Sequence, residues 1–476
     1  MFPGAWKPAI LLVFCYLFFL DSNAQSWKEQ YDQSVKKYEE GQLAEAYNLA
    51  NQSLQSYINE SGAVNDNYAA ILRHSANVCF GLEKYDQGIE LLTKEIQIRE
   101  SKPDQGLADA RLNLAEFYKQ LEKFNEAIGQ IKASEKILQG YFKPTDPELI
   151  SCRLNLAITY YLAGVLPPSF EILREHFKKL NEITTSESEE LYAVYYYGLL
   201  LSDLGKTEEA VYVFIRTKEL WEKAGQANNS EFALVLSGLA QAYHQFNLFH
   251  KAEETFLQAQ QLMESQKLTS EDYLKLINER AVNLQSLGQT AKAQELFMII
   301  QNNPNGGVIY AASLNNRATF FQNKGDYEEA EKLYREALSK FNQNTVEGKL
   351  QYAETKSNLA ILKSDQGKYE EAITLLTEAR SSYEEAEATG TTGYLNVLNK
   401  IGTVYLKARK KGEAKESFDL SYALSSNSPE TTKVARLQAM MGLGTLAFQQ
   451  GKINTADSIF ESVIVVYEKQ KLRQDA

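Results

Sequence analysis

The residues best suited to chemistry are few and scattered. The histidines are His74, His176, His244 and His250, and Cys79 and Cys152 are the cysteines beyond the first two dozen residues. A zinc centre needs several such ligands converging on one point, and the six-residue offset of His244 and His250 fits no helical metal face. Two cysteines make no disulfide framework. Cys79 stands where related segments carry tyrosine, so it reads as a small core hydrophobe. No phosphate loop, nucleophile elbow or HExxH pair occurs. Acid pairs such as Glu328 and Glu329 open a helix, where carboxylates meet the positive end of the dipole. The expectation is therefore no catalytic residue, no metal ligand and no cofactor.

What remains is chemistry for binding. Asn113, Asn155, Asn316 and Asn358 each stand in an N-x-A setting. A side-chain amide both donates and accepts, so it can hold a peptide backbone without reading sequence, or it can bond within its own fold. Tyr192, Tyr195 and Tyr196 cluster in "LYAVYYYGLL", with Tyr161 upstream. Tyrosines give large amphipathic contact area at low entropy cost; alternatively some pack between helices, as Tyr197 is expected to do.

These side chains need elements that hold them in register, and the sequence supplies a repeat. "NKGDYEEAEKLYREALSKF" (Asn323–Phe341) returns as "DQGKYEEAITLLTEARSSY". A small residue recurs at Ala46, Gly88, Ala127, Ser169, Ala210, Ala252, Ala293, Ala330, Ala372, Ala414 and Ala456, at intervals of 37 to 42. Upstream of it "NLAEFY" (Asn113–Tyr118) matches "NLAITY" (Asn155–Tyr160) and "GLAQAY" (Gly238–Tyr243). Downstream, Phe214, Phe256, Phe297, Phe418 and Phe460 follow the alanine at one spacing. Tyr118, Phe124, Ala127 and Ile131 form one apolar helical stripe, and the small residues permit close helix crossing. Gly41, Gly164, Gly205, Gly288, Gly325, Gly367 and Gly451 fall where a first helix must close with positive φ. Pro103, Pro144, Pro147, Pro304 and Pro429 lie between units, and none interrupts an expected helix.

The L-G-x-x-Y and A-x-x-x-F landmarks resemble those of the tetratricopeptide-repeat family, and the period near 42 is similar to its kinesin-light-chain variety. The resemblance implies an all-α, right-handed superhelical solenoid of about eleven antiparallel helix pairs. It further implies that first helices line a concave groove for extended or helical peptides, with the four N-x-A asparagines and Tyr161, Tyr192, Tyr195 and Tyr196 facing it. Of the residues that hold a terminal carboxylate in chaperone-binding members, Asn358 and, loosely, Lys400 have counterparts.

Composition agrees with such an array. The 476 residues are 44% hydrophobic with 9 prolines, and the formal charge of -12 argues against nucleic acid and anionic membrane surfaces. Ala9–Leu20 is an apolar run too short to span a bilayer, followed by small residues to Ala24. It reads as a cleaved export signal over 1–24, leaving the array over 25–476 without membrane insertion, in a periplasm or the cell exterior if the cell is bacterial. Asn302–Gly307 is a candidate hinge. The run "VIVVY" (Val463, Ile464, Val465, Val466 and Tyr467) circles its helix, so one neighbour cannot bury all of it. That end is expected to dock a second copy or a partner, unless the tail folds back as a lid. The functional expectation is an exported, non-catalytic scaffold that binds protein or peptide. The alternative is a sensor array serving a signalling or protease effector on another chain.

Overall fold

The computed structural model describes residues 26–101, 103–180, 188–267, 270–303, 307–426 and 433–474. The export signal and the centre of the 302–307 linker lie outside the described residues. The chain divides into two compact units, residues 1–197 and 198–476.

The first unit holds α1 (Ser26–Glu39), α2 (Leu43–Glu60), α3 (Asp66–Gly81), α4 (Tyr85–Arg99), α5 (Gln105–Gln120), α6 (Phe124–Leu138), α7 (Pro147–Leu162), α8 (Leu166–Leu180) and most of α9 (Ser188–Asp203). The second holds α10 (Thr207–Lys223), α11 (Ser230–Gln245), α12 (Phe249–Ser265), α13 (Glu271–Ser286), α14 (Thr290–Gln301), α15 (Gly307–Asn323) and α16 (Tyr327–Lys340). It continues through α17 (Val346–Asp365), α18 (Tyr369–Glu385), α19 (Thr392–Lys407), α20 (Lys411–Ser425), α21 (Lys433–Gln449) and α22 (Ile453–Gln474). The fold is all-α, 22 helices among the described residues, in the eleven pairs that the sequence spacing predicts.

The turn inside each pair is the same device throughout. The third residue after the helix end donates its N–H five residues back, as in Val165 N to Tyr160 O (2.8 Å), Gln289 N to Leu284 O (2.8 Å) and Asp326 N to Phe321 O (2.9 Å). This satisfies carbonyls that the helix end would leave open. It requires one residue in the left-handed region, and the seven expected glycines occupy it, Gly325 at φ 83°. Glu83, Glu122, Asn247 and Arg409 take the same place in other pairs with φ between 57° and 63°, at a steric cost that glycine avoids. Several first helices, by contrast, begin on a side-chain cap: Asn65, Asp104, Asn229, Thr345 and Thr391 each accept from a backbone N–H of the first turn.

The small landmarks set the packing. Ala46, Ala127, Ser169, Ala210, Ala252, Ala293, Ala330, Ala372 and Ala414 are fully buried. In the second unit two of the phenylalanine landmarks, Phe214 and Phe418, enter slots made by glycine. A Cβ on Gly198 or Gly238 would come within 2.8 or 2.6 Å of the Phe214 ring, and one on Gly402 or Gly442 within 2.7 or 2.4 Å of Phe418. Each ring is thus held between the first helix of its own pair and that of the next. Phe460 touches Gly444 on α21 but has no following pair among the described residues, and it is only half-buried.

Candidate functional site

Within the second unit, successive first helices from α11 to α21 touch one another, whereas among the described residues the second helices have no comparable mutual contacts. The odd-numbered helices therefore form the inner side of this stack. The residues they present there follow one register, fourteen positions before each small landmark: Gly238, Glu279, Asn316, Asn358, Lys400 and Gly442.

Four of these register residues bond backwards in the same way, to the residue just before the register position on the preceding first helix. Ser237 Oγ donates to Glu279 Oε2 (3.3 Å). Asn316 Nδ2 donates to Asn278 Oδ1 (3.3 Å), and Asn358 Nδ2 to Asn315 Oδ1 (3.1 Å). Lys400 Nζ donates to Ser357 Oγ (2.8 Å) and Asn358 Oδ1 (3.0 Å). The result is a polar rail crossing α11, α13, α15, α17 and α19, its register members all half-buried. Burial pushes the Glu279 carboxyl up to about 7, against the opposing influence of Lys275 and bonds from Ser237 and Gln241. Burial also draws the Lys400 ammonium below the usual lysine range, with Glu354 acting the other way. On the same inner helices His244 Nδ1 lies 2.9 Å from Asn283 Oδ1, and Asn283 donates to Phe249 O (3.0 Å).

In the first unit the same register holds Asp32, His74, Asn113, Asn155 and Tyr196. Asn155 is bonded within the fold: Lys119 Nζ donates to its Oδ1 (3.1 Å), its Nδ2 donates to Glu116 Oε1 (2.9 Å), and Lys119 pairs with Glu116 at 2.6 Å. His74 Nε2 lies 2.8 Å from Ser34 Oγ, whose single proton goes to Ala46 O (2.7 Å), so the imidazole is the donor and carries its proton on Nε2. Burial lowers its pKa to about 4. Asn113 is half-buried on α5.

The tyrosine cluster lies deeper than a groove-facing surface requires. Tyr195 and Tyr196 are 7% and 4% exposed, alongside Tyr197 at 5%, while Tyr192 and Tyr161 are half-buried. Tyr196 packs edge-on against both Tyr161 (5.7 Å between centroids) and Tyr195 (5.6 Å). A helix this apolar on all sides has little surface left to offer. On α22, Val463 is buried, Ile464 and Val465 are 52% and 47% exposed, and Val466 is half-buried. The side chain of Tyr467 lies outside the described residues.

Among the described residues no three acidic, histidine or cysteine side chains are placed to hold a metal ion, and no helix is long and apolar enough to cross a membrane. Cys79 and Cys152 are buried free thiols, pushed up to about 11 and about 12 by burial. Glu279, Asn278, Asn315 and Ser237 did not stand out in the sequence, and Lys400 only through the resemblance. The N-x-A pattern selects asparagine, whereas counting back from each landmark finds the whole register.

Residues 310–385 match the tetratricopeptide-repeat family model. That match covers α16, α17 and α18 with most of α15, and the turn geometry inside these pairs recurs in all eleven. No curated protein matches it in sequence. Among solved structures, the apo form of RapI is similar at 11% identity with a TM-score of 0.54, over 76% of this chain and 98% of that one. A Rap protein complexed with Competence and Sporulation Factor aligns at 18% identity and TM-score 0.51, over 78% and 99%. A kinesin-light-chain-like repeat protein of Podosopora anserina aligns at 15% identity and TM-score 0.39, over 43% of this chain and 100% of that one.

Proposed function

We propose that the chain is a non-catalytic scaffold that binds a protein or peptide along the inner side of its first helices. The observation that carries this reading is the polar rail of α11 to α19, where half-buried amides and charges repeat at one register. Such groups can pair with an extended backbone laid across several helices. The complex of a similarly folded Rap protein with Competence and Sporulation Factor supports a binding role for the fold. The function includes export, supported by the apolar run Ala9–Leu20 and the small residues that follow.

The test is peptide selection on the purified mature chain, followed by titration of the selected peptides. Replacing Asn316 and Asn358 together by alanine is expected to weaken binding roughly tenfold or more, from lost charge-free hydrogen bonds. Unchanged affinity in that double variant contradicts the inner-side reading. Tyr192→Ala, the half-buried member of the tyrosine group, asks the same of the first unit.

The exposed Ile464 and Val465, with Phe448 at 61% on the same helix pair, support a second contact, docking of another copy at the terminal pair. Light scattering on the parent and on Val465→Lys with Val466→Lys checks it. A monomeric parent contradicts it.

A further inference from the structure

The first and the last described pairs each lack one neighbour, and they treat the open side differently. On α1 the exposed side chains are Glu29, Asp32, Gln33, Lys36 and Glu39, which suit water, as a terminal unit of a repeat array requires. On α21 they are Val434, Gln438, Met441, Thr445, Phe448 and Gln449, and none is charged. Val434, Met441 and Phe448 are 48%, 46% and 61% exposed.

Elsewhere in the stack the next pair covers these positions. Met441 and Phe448 occupy the places that Ser357 and Ser364 hold on α17, where 1% and 2% remain exposed. Ile464 on α22, 52% exposed, stands where Tyr422 on α20 accepts from Arg436 Nη2 of the following first helix (2.9 Å). Phe460 stays half-buried, whereas Phe214 and Phe418 are 0% and 1% exposed. The helix α22 runs on to Gln474, so the tail extends the last helix instead of folding over this face.

The uncovered face is matched to itself. Its exposed positions step by four and three from Val434 through Gln438, Met441 and Thr445 to Phe448, one continuous seam along a helix. The turn at Gly205 passes beside Val434, where a Cβ on the glycine would lie 3.7 Å from Cγ2, and marks one end of the seam. Reversed end to end about Met441, the seam sets Phe448 against Val434 and Gln438 against Thr445. The largest side chain then meets the smallest apolar one, polar meets polar, and no charge meets its like. Docking on the α1 end of another copy would set the same apolar residues on a face that carries Glu29 and Asp32, at the cost of dehydrating carboxylates.

We infer that two copies of the chain pair tail to tail about a two-fold axis at Met441, with α21 antiparallel to α21 of the partner subunit and Ile464 flanking the seam. The inference rests on the second-copy docking proposed above and adds which helices meet, in which direction, and that the contact closes. An isologous contact of this kind ends growth at two copies, whereas a head-to-tail contact builds filaments.

The test uses the full mature chain, whose Cys79 and Cys152 are buried free thiols and contribute little background to crosslinking. Met441→Cys, Val434→Cys and Phe448→Cys are made singly, oxidised mildly and read on non-reducing gels. Met441→Cys is expected to link to itself. Seven helical residues rise about 10 Å, so Val434→Cys and Phe448→Cys each lie about 20 Å from their own copy across the axis. Those two are expected to link only when the variants are mixed. Met441→Lys and Met441→Glu are each expected to weaken dimerisation roughly tenfold or more in light scattering, and an equimolar mixture of the two to restore it. Circular dichroism checks that both variants stay helical; should either unfold, Met441→Gln and the crosslinking series decide alone. A dimer in which Met441→Cys does not link to itself, or which both charge variants leave intact, overturns the inference while the second-copy reading stands. Growth beyond two copies with concentration points to head-to-tail docking and overturns it equally. A wild type that stays monomeric overturns both.

Discussion

Lys119 and Lys400 are two lysines on first helices, one in each unit, and they are treated in opposite ways. Lys119 is tied to Glu116 at 2.6 Å and to Asn155 at 3.1 Å, so its charge is matched and its neighbours are saturated. Lys400 has two neutral acceptors and a lowered pKa caused by burial. The same contrast runs through the register residues. In the first unit Asn155 and His74 complete bonds within the fold; in the second, Glu279 is bonded by Ser237 and Lys400 donates to Ser357 and Asn358, all neutral groups. A repeat therefore does not assign one role to one position. Each unit inherits the position, and the residues around it decide whether the position is structural or open to a ligand.

The contrast can be broken most forcefully at Lys119. Replacing it by methionine strands the carboxylate of Glu116 in a largely buried place, and a loss of about 3 kcal/mol in urea unfolding is expected. Lys400→Met, the matching change in the second unit, removes an unmatched charge and is expected to be neutral or slightly stabilising. Equal losses from the two variants would erase the distinction. Because a repeat array does not unfold as a single unit, hydrogen exchange on α5, α7, α17 and α19 should accompany both measurements.

A smaller effect is expected from Asn155→Ala, about 1–2 kcal/mol, since Glu116 and Lys119 keep each other but each loses an amide partner.

The pH dependence sharpens the comparison further. The Glu279 carboxyl is raised in the fold, so the native chain holds a proton that the unfolded chain releases, and this residue opposes stability as pH rises through about 7. Glu279→Gln is expected to raise the melting temperature near pH 8 and to leave it unchanged near pH 5. His74 and His176 have the opposite sign. Both are lowered to about 4 by burial, so they weaken the fold as pH falls below the ordinary histidine range toward that value. His74→Gln should flatten the acid side of the profile.

The smallest expected change lies in the turns, where both units use one device. Arg409→Gly relieves a left-handed residue and should stabilise by up to about 1 kcal/mol, with Gly325→Ala costing about as much.

The fold was legible in the sequence because its determinants are local. A seven-member glycine series, small residues at crossings and a recurring phenylalanine each report a steric need met within one helix pair or between neighbours. Glu122 and Arg409 show the limit, since nothing in their chemistry announces a left-handed turn; only their place in the period does. The site was legible in part. The asparagines were visible as a pattern, but their partners lie about forty residues away on the preceding first helix, as Asn278 does for Asn316. The depth of the tyrosines was hidden for a related reason: Tyr195, Tyr196 and Tyr197 follow one another around α9, and burial of all three depends on neighbours that spacing does not reveal. Glu279 drew no notice because its partner Ser237 lies 42 residues away on α11.

The most direct measurement is hydrogen exchange of the full chain with and without a saturating peptide obtained by selection on it. New protection is expected on α13, α15, α17 and α19, centred on Glu279, Asn316, Asn358 and Lys400, with α5 and α7 around Asn155 unchanged. Protection confined to α14, α16 and α18, or to the first unit, would contradict the account.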